Sequence, residues 1–293
     1  MTRAGFVALA GRPNVGKSTF VNSVLGEKVA IVSDRPQTTR RPIRGVYSTS
    51  DRQIVLVDLP GVQRPRDPLT ARMAKRVRHE LEGADAVLLM LAGDQGVGPG
   101  DRFIAGALAA EDAPVTIAVN KIDRVSKAAI VEVLARAGEL NTDAEIFPIS
   151  ARTGAGIPAL LEHLAELMPP GPFLFAGDQR SDQPEELLLA ELIREAVIRR
   201  TFQELPHAVE VTVEELERGR EGFVRVRALI WTESDSQKGI LIGARGAKIK
   251  AIGTAARREL ERVLGSQVHL ELSVRVRRHW RADERLLDRL GIE

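Results

Sequence analysis

One octapeptide constrains this chain more than any other feature. GRPNVGKS, Gly11 to Ser18, follows directly on the apolar run FVALA and satisfies the pattern G-x-x-x-x-G-K-[ST] where that pattern needs to sit, between a strand and a helix. A loop of this kind curls so that successive main-chain N–H groups and the N-terminus of the next helix face an oxyanion. In that reading Gly11, Arg12, Pro13, Asn14, Val15 and Gly16 form a phosphate cradle. Lys17 reaches the β- and γ-phosphates, the Ser18 hydroxyl binds Mg²⁺, and Thr19 completes the nucleotide-binding run. The loop alone would serve an ATPase, a kinase or a GTPase equally well.

Three later segments narrow the choice, each at the end of an apolar run. DLPG, Asp58 to Gly61, offers a carboxylate for magnesium and, at Gly61, an N–H that can sense the γ-phosphate; Leu59, Pro60 and the following Val62 belong to the same stretch. NKID supplies Asn120, Lys121 and Asp123. The Asp123 carboxylate can accept from both the N1–H and the N2 amino group of guanine, a donor pair that adenine lacks. A buried carboxylate left unpaired is costly, so such a site rejects ATP by about 10⁴-fold. ISAR adds Ser150, Ala151 and Arg152, with the Ala151 N–H expected to face the guanine carbonyl oxygen. Singly each segment reads as an ordinary turn; in this order they specify a GTP/GDP site.

Apolar runs alternate with helix-length amphipathic stretches through the first 170 residues, the rhythm of a doubly wound, mostly parallel sheet. The fold class expected is therefore α/β, a P-loop G domain over residues 1–170. Pro169, Pro170, Gly171 and Pro172 break the pattern, and residues 171–184 read as a linker. Residues 185–293 then give helix, two strands, a glycine-rich turn, helix, strand and terminal helix, a smaller α+β unit. The chain has no cysteine, which excludes a disulfide framework and fits a reducing, cytoplasmic compartment. Its apolar runs are too short for a signal-peptide core or a bilayer span, so a soluble protein is expected.

In the second unit, ILIGARGAKIKAIG contains G-x-x-G as Gly243 to Gly246, between an apolar run and a basic helix. The motif by itself is weak, but charge supports it. From Arg218 to Arg281 there are fifteen Lys or Arg against six Asp or Glu, a net +9, whereas the whole chain carries only +2. Charge concentrated in this way is the footprint of a nucleic-acid partner, and Ile242, Gly243, Ala244, Arg245, Gly246, Lys248, Ile249 and Lys250 are the residues placed to meet it. The element order resembles a type II KH domain, which binds single-stranded RNA; DNA is not expected. Phe223 and Trp280 could stack on bases, though in so aromatic-poor a chain core positions are the commoner use.

PNVGKS together with QTTR at Gln37 to Arg40, and the tail VHLELSVRVRRHWRADERLLDRLG, resembles the Era family of KH-containing GTPases over nearly the whole length. The resemblance implies a magnesium-binding threonine at Thr39, with Thr38 as the alternative, and makes Lys17, Thr39, Gly61 and Asn14 the residues acting in hydrolysis. It implies K⁺ at Asn14, supplying positive charge near the leaving phosphate. Ras-like enzymes orient the attacking water with glutamine where this chain has Val62, so slow turnover is expected. The family usually has threonine at the place of Leu59. The resemblance also implies 16S rRNA and the 30S subunit as partners in ribosome assembly, and a cytoplasmic location with peripheral association at the inner face of the cell membrane. Two alternatives stand beside it: an RNA-binding module whose nucleotide only gates access, and a P-loop ATPase or nucleoside kinase.

Overall fold

The computed structural model describes residues 2–35, 38–61, 67–141, 143–202, 205–219, 222–290 and 292. The chain forms two compact units. The first comprises Met1–Ala30, Thr39–Arg66 and Thr70–Asp182, and the second Ile31–Thr38, Asp67–Leu69 and Gln183–Glu293.

The first unit is built on six strands, β1 (Arg3–Ala10), β2 (Ile43–Ser48), β3 (Arg52–Asp58), β4 (Ala86–Ala92), β5 (Val115–Asn120) and β6 (Ile146–Pro148), in the order β2-β3-β1-β4-β5-β6. Every pairing is parallel except β2 with β3. The helices are α1 (Lys17–Leu25), α2 (Pro68–Glu82), α3 (Pro99–Leu108), α4 (Lys127–Gly138) and α5 (Ile157–Leu167). β4, AVLLMLA, is buried along its whole length because both faces of the sheet are covered. Alternation sends Leu88 and Met90 into a core with Phe20 of α1 and Leu160 and Leu164 of α5, while Leu89 and Leu91 pack with Ile104 and Leu108 of α3 and Val133 of α4. Truncating any of these leucines to alanine costs about 2–5 kcal/mol. The strand order reverses at β1, whose neighbours are β3 and β4, so the glycine loop leaves the sheet at its topological switch point.

The stretch expected as a linker is largely built into this first unit, which runs to Asp182. Its prolines exclude helix and strand, yet its main chain finds partners on the sheet. Gly171 N–H donates to Thr2 O, Gln53 Oε1 accepts from the N–H groups of Leu174 and Phe175, and Val46 N–H donates to Arg180 O.

The second unit contains α6 (Glu185–Ile198), α7 (Leu205–Ala208), β7 (Glu210–Arg218), β8 (Phe223–Thr232), α8 (Asp235–Ile242), α9 (Ala247–Leu264), β9 (Gln267–Val276) and α10 (Glu284–Arg289). The sheet runs β7-β8-β9, with β7 antiparallel and β9 parallel to the central strand. Val224, Val226, Ala228 and Ile230, alternate residues of β8, pack under Leu189, Leu192 and Ile193 of α6 and Ile252, Ala256 and Leu260 of α9. Trp280 is core: it is fully buried and its Nε1–H donates to Ala208 O at 2.9 Å. Phe223 is exposed and stacks on His269 with ring centroids 6.5 Å apart.

Candidate nucleotide site and nucleic-acid surface

In the glycine loop Val15 is the buried anchor, while Asn14 is exposed with a left-handed backbone (φ 64°). The Lys17 ammonium is buried and donates to Gly11 O (2.9 Å) and Arg12 O (3.1 Å). Desolvation pushes Lys17 down to about 8, partly opposed by the Asp58 carboxylate. Thr19 follows on α1, half-buried. Arg12 turns away from its neighbours in the loop to pair with Asp101 of α3 at 2.8 Å.

Ser18 Oγ donates to Asp58 Oδ2 (2.5 Å) and lies 3.1 Å from Thr39 Oγ1, itself 3.4 Å from the same carboxylate oxygen. Thr38 does not join them; its hydroxyl donates to Arg35 O at 2.7 Å. Asp58 is fully buried, and desolvation raises its pKa against the pull of Lys17 and the two hydroxyls. Asp58 Oδ1 has no hydrogen-bond partner. An unsatisfied buried carboxylate oxygen beside two converging hydroxyls is a set of hard oxygen donors, which is what Mg²⁺ takes. The main chain at Gly61 runs directly against the loop, since a Cβ there would fall 2.7 Å from Pro13 Cγ. Leu59 is buried with Ala8, Val57 and Val77, so its side chain serves the core, and Pro60 is buried beside it. Val62 and Gln37 lie outside the described residues.

Asn120 is a brace between loops at the strand ends. Its Nδ2 donates to Val15 O (2.8 Å) and its Oδ1 accepts the Ala151 N–H (2.9 Å), tying the phosphate loop to the ISAR segment. The Ala151 N–H expected to face the base is thus engaged by Asn120. The Asp123 carboxylate is 12% exposed. Ser150 Oγ donates to its Oδ1 at 2.6 Å, and Arg152, 66% exposed, pairs with Oδ2 at 2.6 Å. The Ser150 bond, with help from Arg152, holds Asp123 below the usual carboxylate range despite some desolvation. Of the two partners, Ser150 is buried and Arg152 is exposed, so the Oδ2 side of the carboxylate is the one that faces the surface. Lys121, in the left-handed region, is held by Asp94 at 3.3 Å.

In the second unit Ile242 ends α8, Gly243 (φ 68°) caps it, and Ala244–Gly246 make a single 3-10 turn before α9. A side chain at Gly243 would fall 2.8 Å from Lys248 Cβ, so only glycine fits there. Arg245 and Lys250 are exposed, Lys248 is half-buried, and Ile249 packs on the core. Beside this turn is a groove of about 360 Å³, lined by Ile249, Lys250, Gly253, Thr254 and Arg257 of α9 and Leu270 and Leu272 of β9. It offers an apolar floor with basic sides.

Residues 6–121 match the family model described as 50S ribosome-binding GTPase, and residues 204–281 match the KH domain. GTPase Era of Mycobacterium avium is 45% identical over 294 residues, covering 99% of this chain and 98% of that protein. The chain belongs to the Era family of GTPases. Era of Mycobacterium tuberculosis is 44% identical over the same length. Two solved structures superpose with TM-scores of 0.95 at 34% identity: a variant of Aquifex aeolicus Era bound to GDP·AlF4−, covering 99% of this chain, and Era in complex with MgGDPNP and nucleotides 1506–1542 of 16S ribosomal RNA, covering all of it.

As an Era-family GTPase with a C-terminal KH domain, the chain hydrolyses GTP to GDP and phosphate, and the ATPase and kinase alternatives fall away. No helix among the described residues is long and apolar enough to cross a membrane. Several contributors were not read from sequence. Asp94 sits just beyond β4 and Asp101 in the first turn of the following α3, at the end of the sheet where carboxyl ends of parallel strands gather ligand-side residues, and that position is the signal that could have found them. Leu270 and Leu272 needed the knowledge that β9 lies at the sheet edge beside α9.

Proposed function

We propose that this GTPase binds the single-stranded 3′ end of 16S rRNA through its KH unit and acts in assembly of the 30S subunit, with nucleotide state timing the encounter. The observation that carries this is the groove beside Gly243–Gly246, where the start of a long helix, basic side chains and an apolar floor of Ile249, Leu270 and Leu272 adjoin. A single strand can lay its phosphates on the turn and on Arg245, Lys248 and Lys250 while its bases meet the floor. The relative solved with MgGDPNP and 16S nucleotides matches this chain along its full length, which supports the same choice of RNA.

In the nucleotide site, Ser18, Thr39 and Asp58 hold Mg²⁺, which when bound supplies positive charge to the β- and γ-phosphates. Lys17 adds a second cation, Gly61 senses the γ-phosphate, and Asp123 selects guanine. Asn14 holds K⁺; turnover faster in K⁺ than in Na⁺, with the difference lost in Asn14→Ala, is the expected result. The protein works in the cytoplasm, and its peripheral contact with the inner membrane face is testable by flotation with anionic vesicles. The direct test of the RNA partner is crosslinking of the purified protein to total RNA with GTP or GDP, followed by sequencing. Reads should concentrate at the 3′ end of 16S rRNA; concentration on large-subunit rRNA would overturn the assignment.

A further inference from the structure

The phosphate loop does not hold its shape by local preference. Gly11 (φ 145°), Asn14 (φ 64°) and Gly16 (φ 107°) all stand at positive φ, a region that a residue such as Asn14 seldom adopts. Partners outside the loop have to fix it. One pin is at Val15, which is buried and whose carbonyl oxygen accepts from Asn120 Nδ2. The other is at Arg12. Its Nε–H donates to Asp101 Oδ1 at 2.8 Å and its Nη2 donates to Gly96 O at 3.4 Å, while the carbonyl oxygen of the same residue accepts from the Lys17 ammonium at 3.1 Å. Asp101 is completely buried, and its second oxygen accepts the Gly98 N–H at 2.8 Å, just ahead of α3.

Two residues in the first turn of α3 make sense through Arg12. Accepting the Gly98 N–H needs only an oxygen, which a neutral amide side chain also offers; a buried carboxylate is expensive unless a cation faces it, and Arg12 is that cation. Gly100 stands where alanine would favour the helix more. A Cβ there would fall 2.7 Å from Arg12 Cδ and 3.3 Å from Arg12 Cγ, so the missing side chain leaves the slot in which the arginine stem lies. We propose that Asp101 is a positioning residue for guanine-nucleotide binding. Acting through Arg12, it holds the first half of the phosphate loop, and with it the Lys17 contact, in the receiving shape before nucleotide arrives. Arg12, Gly96, Gly98, Gly100 and Asp101 all belong to the first compact unit. The proposal rests on the reading of Gly11–Ser18 as the phosphate cradle.

A mutant cycle separates position from folding. Asp101→Asn keeps an oxygen for Gly98 but sets an amide group against Arg12, and Arg12→Gln removes the cation. Each should weaken GDP and a non-hydrolysable GTP analogue by the same factor, about tenfold, because the loop must then be ordered at the expense of binding. KM for GTP should rise by that factor with kcat near wild type, the signature of lost uniform binding. The double variant should lose no more affinity than either single one, since both break one clamp. Gly100→Ala leaves both partners in place but crowds the arginine stem; it should lower nucleotide affinity several-fold without lowering the melting temperature, and it decides the matter if Asp101→Asn does not fold. Amide exchange at residues 11–16 of the nucleotide-free protein should quicken in all of these, with α4 unchanged. Additive losses, a fall in kcat at constant affinity, or wild-type affinity in folded variants would each overturn the proposal. Lys17→Ala tells the two readings apart: if it leaves GDP affinity unaltered, the cradle itself has failed, and if it binds poorly while the clamp variants bind as wild type, the positioning role alone has failed.

Discussion

The nucleotide site and the RNA surface handle phosphate in opposite ways. Around the glycine loop the working groups are buried: Lys17, Asp58, Asn120 and Ser150 are all nearly inaccessible, and each is locked by hydrogen bonds of 2.5 to 2.9 Å. Around Gly243–Gly246 the groups are a backbone turn and exposed arginines and lysines on one side of α9. A pocket that must choose one base and hold one cation gains from groups that cannot move. A surface that takes a flexible polyanion gains from solvated cations whose attraction is strong at low salt and screened at high salt. Sensitivity to single substitutions should therefore be steep in the first region and graded in the second.

The largest effect expected is from Lys17→Ala, which should weaken GTP by about 10³-fold through loss of a buried cation, with RNA affinity in the absence of nucleotide unchanged. Fluorescent-nucleotide titration and RNA anisotropy on the same preparation check both halves. Next, Asp123→Asn sets an amide donor against the guanine donors and should cost about 10²-fold in GTP affinity and narrow the preference over ATP by at least that factor. Competition of the two nucleotides for one labelled ligand measures it. In the other region, Lys248→Glu with Lys250→Glu should lower RNA affinity about tenfold and flatten its salt dependence, leaving GTP binding untouched. A loss as steep as that of Lys17→Ala would break the contrast.

The smallest effect is a pH dependence. Nucleotide-free Lys17 titrates near 8, below the ordinary lysine value of 10.5, so it is charged below that pH and neutral above it. Triphosphate binds the charged form, so GTP affinity should be flat below about pH 7 and fall as pH rises through 8, with proton uptake on binding visible by calorimetry in buffers of different ionisation enthalpy. The same shift makes the nucleotide-free fold gain stability between pH 8 and 10.5, where the unfolded lysine still holds a proton that the folded one has lost.

Much of this was legible in the chain because the signals are local. The glycine loop, the Asp and Asn at the ends of β3 and β5, and the G-x-x-G turn each carry their geometry in a few consecutive residues. What escaped depends on partners far away in sequence. β2, IRGVYS, shows no clean alternation, and Gly45 in its middle makes a bridge to Ser181, a partner more than 130 residues on. The segment before Thr39 looks like an ordinary loop, and its place in the second unit is set by Arg194 and Glu195, more than 150 residues on. Arg12 stands in the phosphate motif, yet its charge is spent on Asp101. Residues 171–182 were read from their prolines, whereas Gln53, a buried polar residue inside an apolar strand, is what binds them.

The chain carries a guanine-nucleotide site and an RNA groove, and one titration tests whether they are coupled. A labelled single-stranded RNA from the 3′ end of 16S rRNA should bind about tenfold more tightly to the protein loaded with a non-hydrolysable GTP analogue than to the GDP-loaded protein, a coupling of ordinary size for a two-state switch. Equal affinities in the two nucleotide states, with both nucleotides shown to be bound, would contradict it.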